Sequence, residues 1–99
     1  MWYAIIAEDV ENSLEKRLNA KSAHMARLIE LQDQGRLLLA GPFPAIDSLE
    51  PGPAGFSGSL IVAEFSDLAA AKNWFENDPF VIAGVYANVT VKPFRKTLP

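Results

Sequence analysis

Apolar residues run along this chain in short blocks, and the spacing inside each block marks out an element. Trp2-Tyr3-Ala4-Ile5-Ile6-Ala7 is bulky, β-prone and of strand length. Both of its alternating sets are apolar: Trp2, Ala4 and Ile6 on one side, Tyr3, Ile5 and Ala7 on the other. That pattern predicts a strand covered on both faces. Glu8 to Asn12 turns the chain, and either Asn12 or Ser13 can cap a helix on which Leu14 and Leu18 face inward. On one unbroken helix Lys21 would point into the apolar arc that follows, so an interruption is expected near Asn19-Ala20. Ser22 to Gln34 is the main helix. It is apolar along Met25, Leu28, Ile29 and Leu31 and polar along Arg27, Glu30 and Asp33, and Gly35 ends it in the C′ position.

Arg36 to Ala40 reads as a second strand that stops at Gly41-Pro42. From there to Gly58 the chain carries Pro42, Pro44, Pro51, Gly52, Pro53, Gly55 and Gly58, a density that leaves neither period intact and predicts a long loop of the lid or binding type. Ser59 to Phe65 is the third strand. Ser66-Asp67 caps a helix from Leu68 to about Asn77, with Leu68, Ala71 and Phe75 on one face. Asp78-Pro79 stops it and starts a new turn, since proline suits a first helical position that Asp78 caps. Val85 to Phe94 is the fourth strand: Val85, Ala87, Val89 and Val91 alternate with Tyr86, Asn88, Thr90 and Lys92.

The order β-α-β-β-α-β predicts an α+β, ferredoxin-like domain spanning residues 1–99, a four-stranded antiparallel sheet with both helices on one face. A strand apolar on both sides then needs a cover for the other face. A second copy of the sheet is the simplest one, so a homodimer through the sheet face is expected.

Composition narrows the partners. The chain has 99 residues, 49% of them hydrophobic and 21% charged, with a net charge of −3. No basic stripe is present, which argues against nucleic acid. The absence of cysteine removes disulfides, thiolate metal sites and cysteine nucleophiles. One histidine cannot build a zinc site, and no metal or cofactor is expected. The leading apolar run has no basic flank and is too short for a membrane span, so a cytoplasmic protein is expected.

That single histidine, His24, is the natural centre of any chemistry. It sits at the margin of the helix's apolar arc, part buried and part wet, where an imidazole can titrate near neutrality. The plain alternative is a boundary histidine bonded to a carbonyl. Asp78 has a capping duty already, and a carboxylate there could also orient the imidazole; Asp47, in the punctuated loop, competes for that role. Ser59 lacks a nucleophile elbow and fits a hydrogen-bonding role toward a ligand. Arg17, which shares the His24 face only if the first helix is continuous, and Arg36 are candidate anion contacts. Gly41 and Pro42 would shape a pocket mouth. Trp2, Tyr3, Trp74, Phe75 and Tyr86 belong mostly to core or dimer surface.

Met1-Trp2-Tyr3, Ser13-Leu14-Glu15-Lys16-Arg17, His24, Gly35-Arg36-Leu37-Leu38, Ala40-Gly41-Pro42, Gly55-Phe56-Ser57-Gly58-Ser59, Asp78-Pro79-Phe80 and Val91-Lys92-Pro93-Phe94 together resemble the YciI-like protein family. The resemblance implies a ferredoxin-like fold of the dimeric α/β barrel type and a site centred on a histidine and an aspartate. The histidine carries over onto His24 and the aspartate onto Asp78. A relative acts as a dehydrochlorinase on a chlorinated hydroxyquinol, while most members have no assigned substrate. The function expected is cofactor-independent acid–base chemistry on a small cyclic or aromatic metabolite, of the lyase or isomerase kind. In it Ser59, Arg17, Gly41 and Pro42 would contact substrate. The rival expectations are a dimer that binds a small molecule without changing it, and a purely structural dimer.

Overall fold

The computed structural model describes residues 1–99. Strand β1 (Trp2–Asp9) leads into helix α1 (Leu14–Asp33), which is followed by β2 (Leu37–Pro44), a single 3-10 turn (Gly52–Ala54) and β3 (Phe56–Glu64). Helices α2 (Leu68–Glu76) and α3 (Pro79–Ile82) then precede β4 (Tyr86–Phe94). The sheet order is β2-β3-β1-β4, antiparallel at every pair. This is the ferredoxin-like α+β arrangement, with helices against one face.

The register assigns the faces. Tyr3, Ile5 and Ala7 pair with Ala63, Ile61 and Ser59, and these positions look toward the helices. They join Leu28 and Leu31 of α1 and Ala71 and Phe75 of α2 in one buried cluster. The alternate set, Trp2, Ala4 and Ile6 with Leu60 and Val62, forms the other face. No element of the chain covers that face, and Ile6, Leu39, Phe43 and Phe94 stay exposed there.

Helix α1 is continuous over 20 residues, without the interruption expected near Asn19-Ala20. Its buried stripe is not the expected Met25–Leu31 arc but Arg17, His24, Leu28 and Leu31, which span about 60° of the helix circumference. Leu18, Met25 and Ile29 are exposed, and Leu14 is only half-buried. The stripe is polar in its first half because α1 borders a cavity there and the core only further on. Lys21 points along the flank of the stripe rather than into packed core. The helix closes on Gly35 (φ 70°): Gly35 N–H donates to Gln32 and Arg36 N–H to Leu31, the paired bonds of a Schellman motif.

Strand β2 does not stop at Gly41-Pro42. It runs on to Pro44, and β3 starts at Phe56, so the expected loop shrinks to a segment that itself holds a 3-10 turn. β2 is an edge strand, where prolines two apart at 42 and 44 turn the same missing-donor side outward and cost no ladder bond. Gly58 is required in β3: a Cβ there would lie 2.2 Å from the Ala7 carbonyl oxygen of β1. In β4 the alternation is broken by a register shift opposite Glu8/Asp9, which brings Tyr86 onto the helix face with Val89 and Val91. No helix is long and apolar enough to cross a membrane.

Candidate functional site

A cavity of about 500 Å³ opens between the flank of α1 and strands β2 and β3, on the helix side of the sheet. Its floor comes from Phe56, Ser59 and Ile61 of β3 and its far wall from Leu37 to Pro42 of β2. Phe80 closes one end, and α1 contributes Arg17, Lys21 and His24 among apolar neighbours. Twelve of its 19 lining residues are hydrophobic and none is a carboxylate, which suits an apolar ring with polar substituents better than a sugar or a cation.

His24 is buried in the wall of this cavity. Its Nδ1 lies 2.7 Å from Asp78 Oδ2, across 54 residues of chain, and its ring stacks on Phe80 with centroids 3.8 Å apart and planes within 8°. A carboxylate only accepts, so Nδ1 carries the hydrogen and Nε2 is left as the basic nitrogen. Nε2 has no protein partner, yet no buried polar side-chain atom in the chain is orphaned, so Nε2 is reachable from outside the packed core.

Asp78 is fully buried, and each of its oxygens has a partner. Oδ2 accepts from His24 and also from the Phe80 backbone N–H at 2.9 Å, the cap of α3, while Oδ1 accepts from Arg27 Nη1 at 3.2 Å. Capping and orientation therefore coexist in one carboxylate. Arg27 is itself held by the Trp74 carbonyl at 2.8 Å and lies 4.3 Å over the Trp74 ring. It stands on the side of His24 away from the cavity, where it balances the aspartate's charge. Asp47 is exposed in the segment after β2 and takes no part.

Arg17 does lie on the His24 side, as the unbroken helix requires, but it is a buried strut rather than a free clamp. Nε and Nη2 grip Asp9 bidentately at 2.6 and 2.8 Å, and Nη2 also donates to the Gly58 carbonyl and Ser59 Oγ, both at 2.9 Å. Ser13 O–H donates to the same Asp9 carboxylate instead of capping α1. The rings of Phe56 and Phe80 sit 5.2 Å from the guanidinium carbon. Only Nη1 has no protein partner.

Ser59 Oγ accepts from Arg17 and from Tyr86 O–H, which donates at 2.8 Å. With both lone pairs engaged, the Ser59 hydrogen is free for something in the cavity. Burial pushes the Tyr86 phenol up to about 12 against the pull of Ser59 and Arg17, so it remains a donor throughout the neutral range. Gly41 and Pro42 line the mouth, with open space where a Gly41 side chain would stand. Arg36 is elsewhere: it bonds the Glu64 carbonyl and Gln34 near the end of α1 and does not line the cavity.

Sequence reasoning missed Asp9, Arg27, Tyr86 and Phe80. His24 and Arg27 stand three apart, which was a readable hint that one carboxylate could serve both. Asp9 and Tyr86 gave none, because a strand bulge brings them together.

A ferredoxin-like sheet with a buried His–Asp pair beside an apolar cavity defines the class, a small α+β protein with a candidate site on the helix side of its sheet. The chain belongs to the YCII-related domain family, whose pattern matches residues 1–95. It is 58% identical over 96 residues to Protein YciI of Escherichia coli O6:H1, covering 97% of this chain and 98% of that one, and equally so to Protein YciI of Shigella flexneri. An uncharacterized protein of Haemophilus influenzae is 56% identical over the same length. Among solved structures, 5-chloro-2-hydroxyhydroquinone dehydrochlorinase of Burkholderia phenoliruptrix, in complex with 2,5-dihydroxybenzoquinone, superposes with a TM-score of 0.84 at 26% identity. That match covers 96% of this chain and 94% of the other. The protein PA3566 of Pseudomonas aeruginosa shares the fold at a TM-score of 0.52 and 9% identity, over 98% and 93% of the two chains.

Proposed function

We propose that the protein is a cofactor-independent acid–base enzyme acting on a small cyclic or aromatic metabolite, by elimination or isomerisation. The observation that carries this reading is the placement of His24: one ring nitrogen is held by a buried carboxylate and the other is available to an apolar cavity. The 5-chloro-2-hydroxyhydroquinone dehydrochlorinase, similar over nearly the whole chain, supports it.

Nε2 of His24 takes a proton from a ring carbon or hydroxyl of the substrate. The electron pair left behind moves through the ring and expels a leaving group such as chloride as its anion; in an isomerisation it picks the proton up again at another atom. Either course is redox-neutral and needs no electron carrier. Asp78 stabilises the imidazolium formed and keeps the ring in plane, with Phe80 stacked against it. The free Ser59 hydrogen and Arg17 Nη1 hold a substrate oxygen as charge builds on it. Gly41 and Pro42 leave room for the ring's entry.

Chloride release from 5-chloro-2-hydroxyhydroquinone is the first reaction to try, followed by related hydroxylated rings. On a substrate that is turned over, His24→Ala is expected to lower kcat by about 10²–10⁴-fold. Asp78→Asn should lower it less. Full turnover by His24→Ala would refute the mechanism, and rings bound but always recovered intact would favour a binding protein instead.

We also propose that the chain works as a homodimer, its uncovered sheet face closed by that of a second copy. Exposed Ile6, Leu39, Phe43 and Phe94 on that face support this.

A further inference from the structure

Lys21 is a misfit on its helix. On the wheel it falls between Leu28 and Met25, both of which line the cavity, and it lines the cavity with them. A lysine in that arc has no packing reason to be there. Its neighbours three and four residues away are Leu18, His24, Arg17 and Met25, so α1 offers it no carboxylate. Its ammonium group makes no salt bridge and no hydrogen bond within the chain.

The charges behind the cavity wall are already matched. Arg17 is paired with Asp9, and Asp78 with Arg27. No carboxylate lines the space itself. The chain as a whole carries −3, so an unmatched cation here does not follow from general basicity. The cavity therefore presents an apolar interior with one free positive charge exposed at its rim.

We infer that Lys21 is a specificity-determining residue that selects anionic ring compounds, such as carboxylates or ionised phenols, over neutral rings of the same shape. The inference deepens the proposed function and rests on the cavity being the site for a cyclic ligand. The ammonium stays in water when the cavity is empty and meets the ligand's anionic group when it is filled, while the ring lies against Leu28, Phe56 and Phe80. Nothing here requires Lys21 to take part in proton transfer.

Calorimetric titration of the full chain with 2-naphthoate and with 2-naphthamide tests it, since the two probes differ in charge and hardly in shape. Wild type is expected to bind the carboxylate about 3–10-fold more tightly than the amide, the worth of one partly exposed charge pair. That preference should vanish in Lys21→Met, persist in Lys21→Arg and shrink in high salt, with amide affinity unchanged throughout. Equal affinities in wild type, or an undiminished preference in Lys21→Met, would overturn the role of Lys21 and leave the His24 mechanism standing. Failure of both probes to bind wild type would count against the cavity as a ring site, and so against both.

Discussion

Tyr86 shows how far one side chain depends on its surroundings. Exposed, its phenol would titrate near ~10. Burial against Phe75 and Phe80 pushes it up to about 12, against the pull of Ser59 and Arg17. A value raised in the folded state means that the folded chain holds this proton more firmly than the unfolded one. The stability it contributes is complete below pH 10 and is lost as pH rises through 12. Denaturant midpoints at pH 8 and pH 11 should fall less in Tyr86→Phe than in wild type, the difference being on the order of 1 kcal/mol. Equal falls would show that the phenol does not titrate with folding. His24 was legible as a candidate because it is a lone imidazole at the edge of an apolar arc. Its partner was legible only through family resemblance, because Asp78 already had a sufficient local reason to exist as the cap of α3.

At the scale of the element, two glycines lie on neighbouring strands and answer to different constraints. Gly58 faces the Ala7 carbonyl of β1 so closely that a methyl group has no room, and its own carbonyl receives Arg17. Gly41, on the edge strand, has nothing within 4 Å. Gly58→Ala is expected to cost about 1–3 kcal/mol by forcing β1 and β3 apart, whereas Gly41→Ala should leave the thermal midpoint nearly unchanged. Thermal melts of the two variants side by side check this. Helix α1 teaches the complementary lesson. Its apolar positions suggested a break at Asn19-Ala20, since local pattern cannot distinguish a helix face that meets core from one that meets a cavity. Once the upper half of the buried stripe is allowed to be Arg17 and His24, the break is unnecessary. Strand β2 was cut short by the same kind of local reasoning: prolines stop a central strand, but β2 lies at the edge.

For the whole molecule, the sheet has helices on one side only. The order of elements and the doubly apolar β1 announced this before any coordinates, and the register then placed Ile6 and Leu39 on the bare face. Both side chains are exposed in the isolated chain, at 37% and 47%, so charging them does not disturb its core. Light scattering on wild type is expected to give twice the 10.8 kDa of one chain, and on Ile6→Lys/Leu39→Lys a single chain with an unchanged circular dichroism spectrum. A wild type that stays monomeric at high concentration would show that the face is left open to solvent.

Sequence periodicity by itself determined the β-α-β-β-α-β order, because side-chain alternation and helical spacing are local properties. It also restricted the candidate site to one imidazole and a few oxygens. Only the tertiary structure decided which oxygens stand together there. Asp78 reaches His24 from 54 residues away, and a bulge turns Tyr86 toward Ser59. Such meetings depend on strand register and on the angle at which α1 crosses the sheet, and neither leaves a mark on the spacing of residues along the chain.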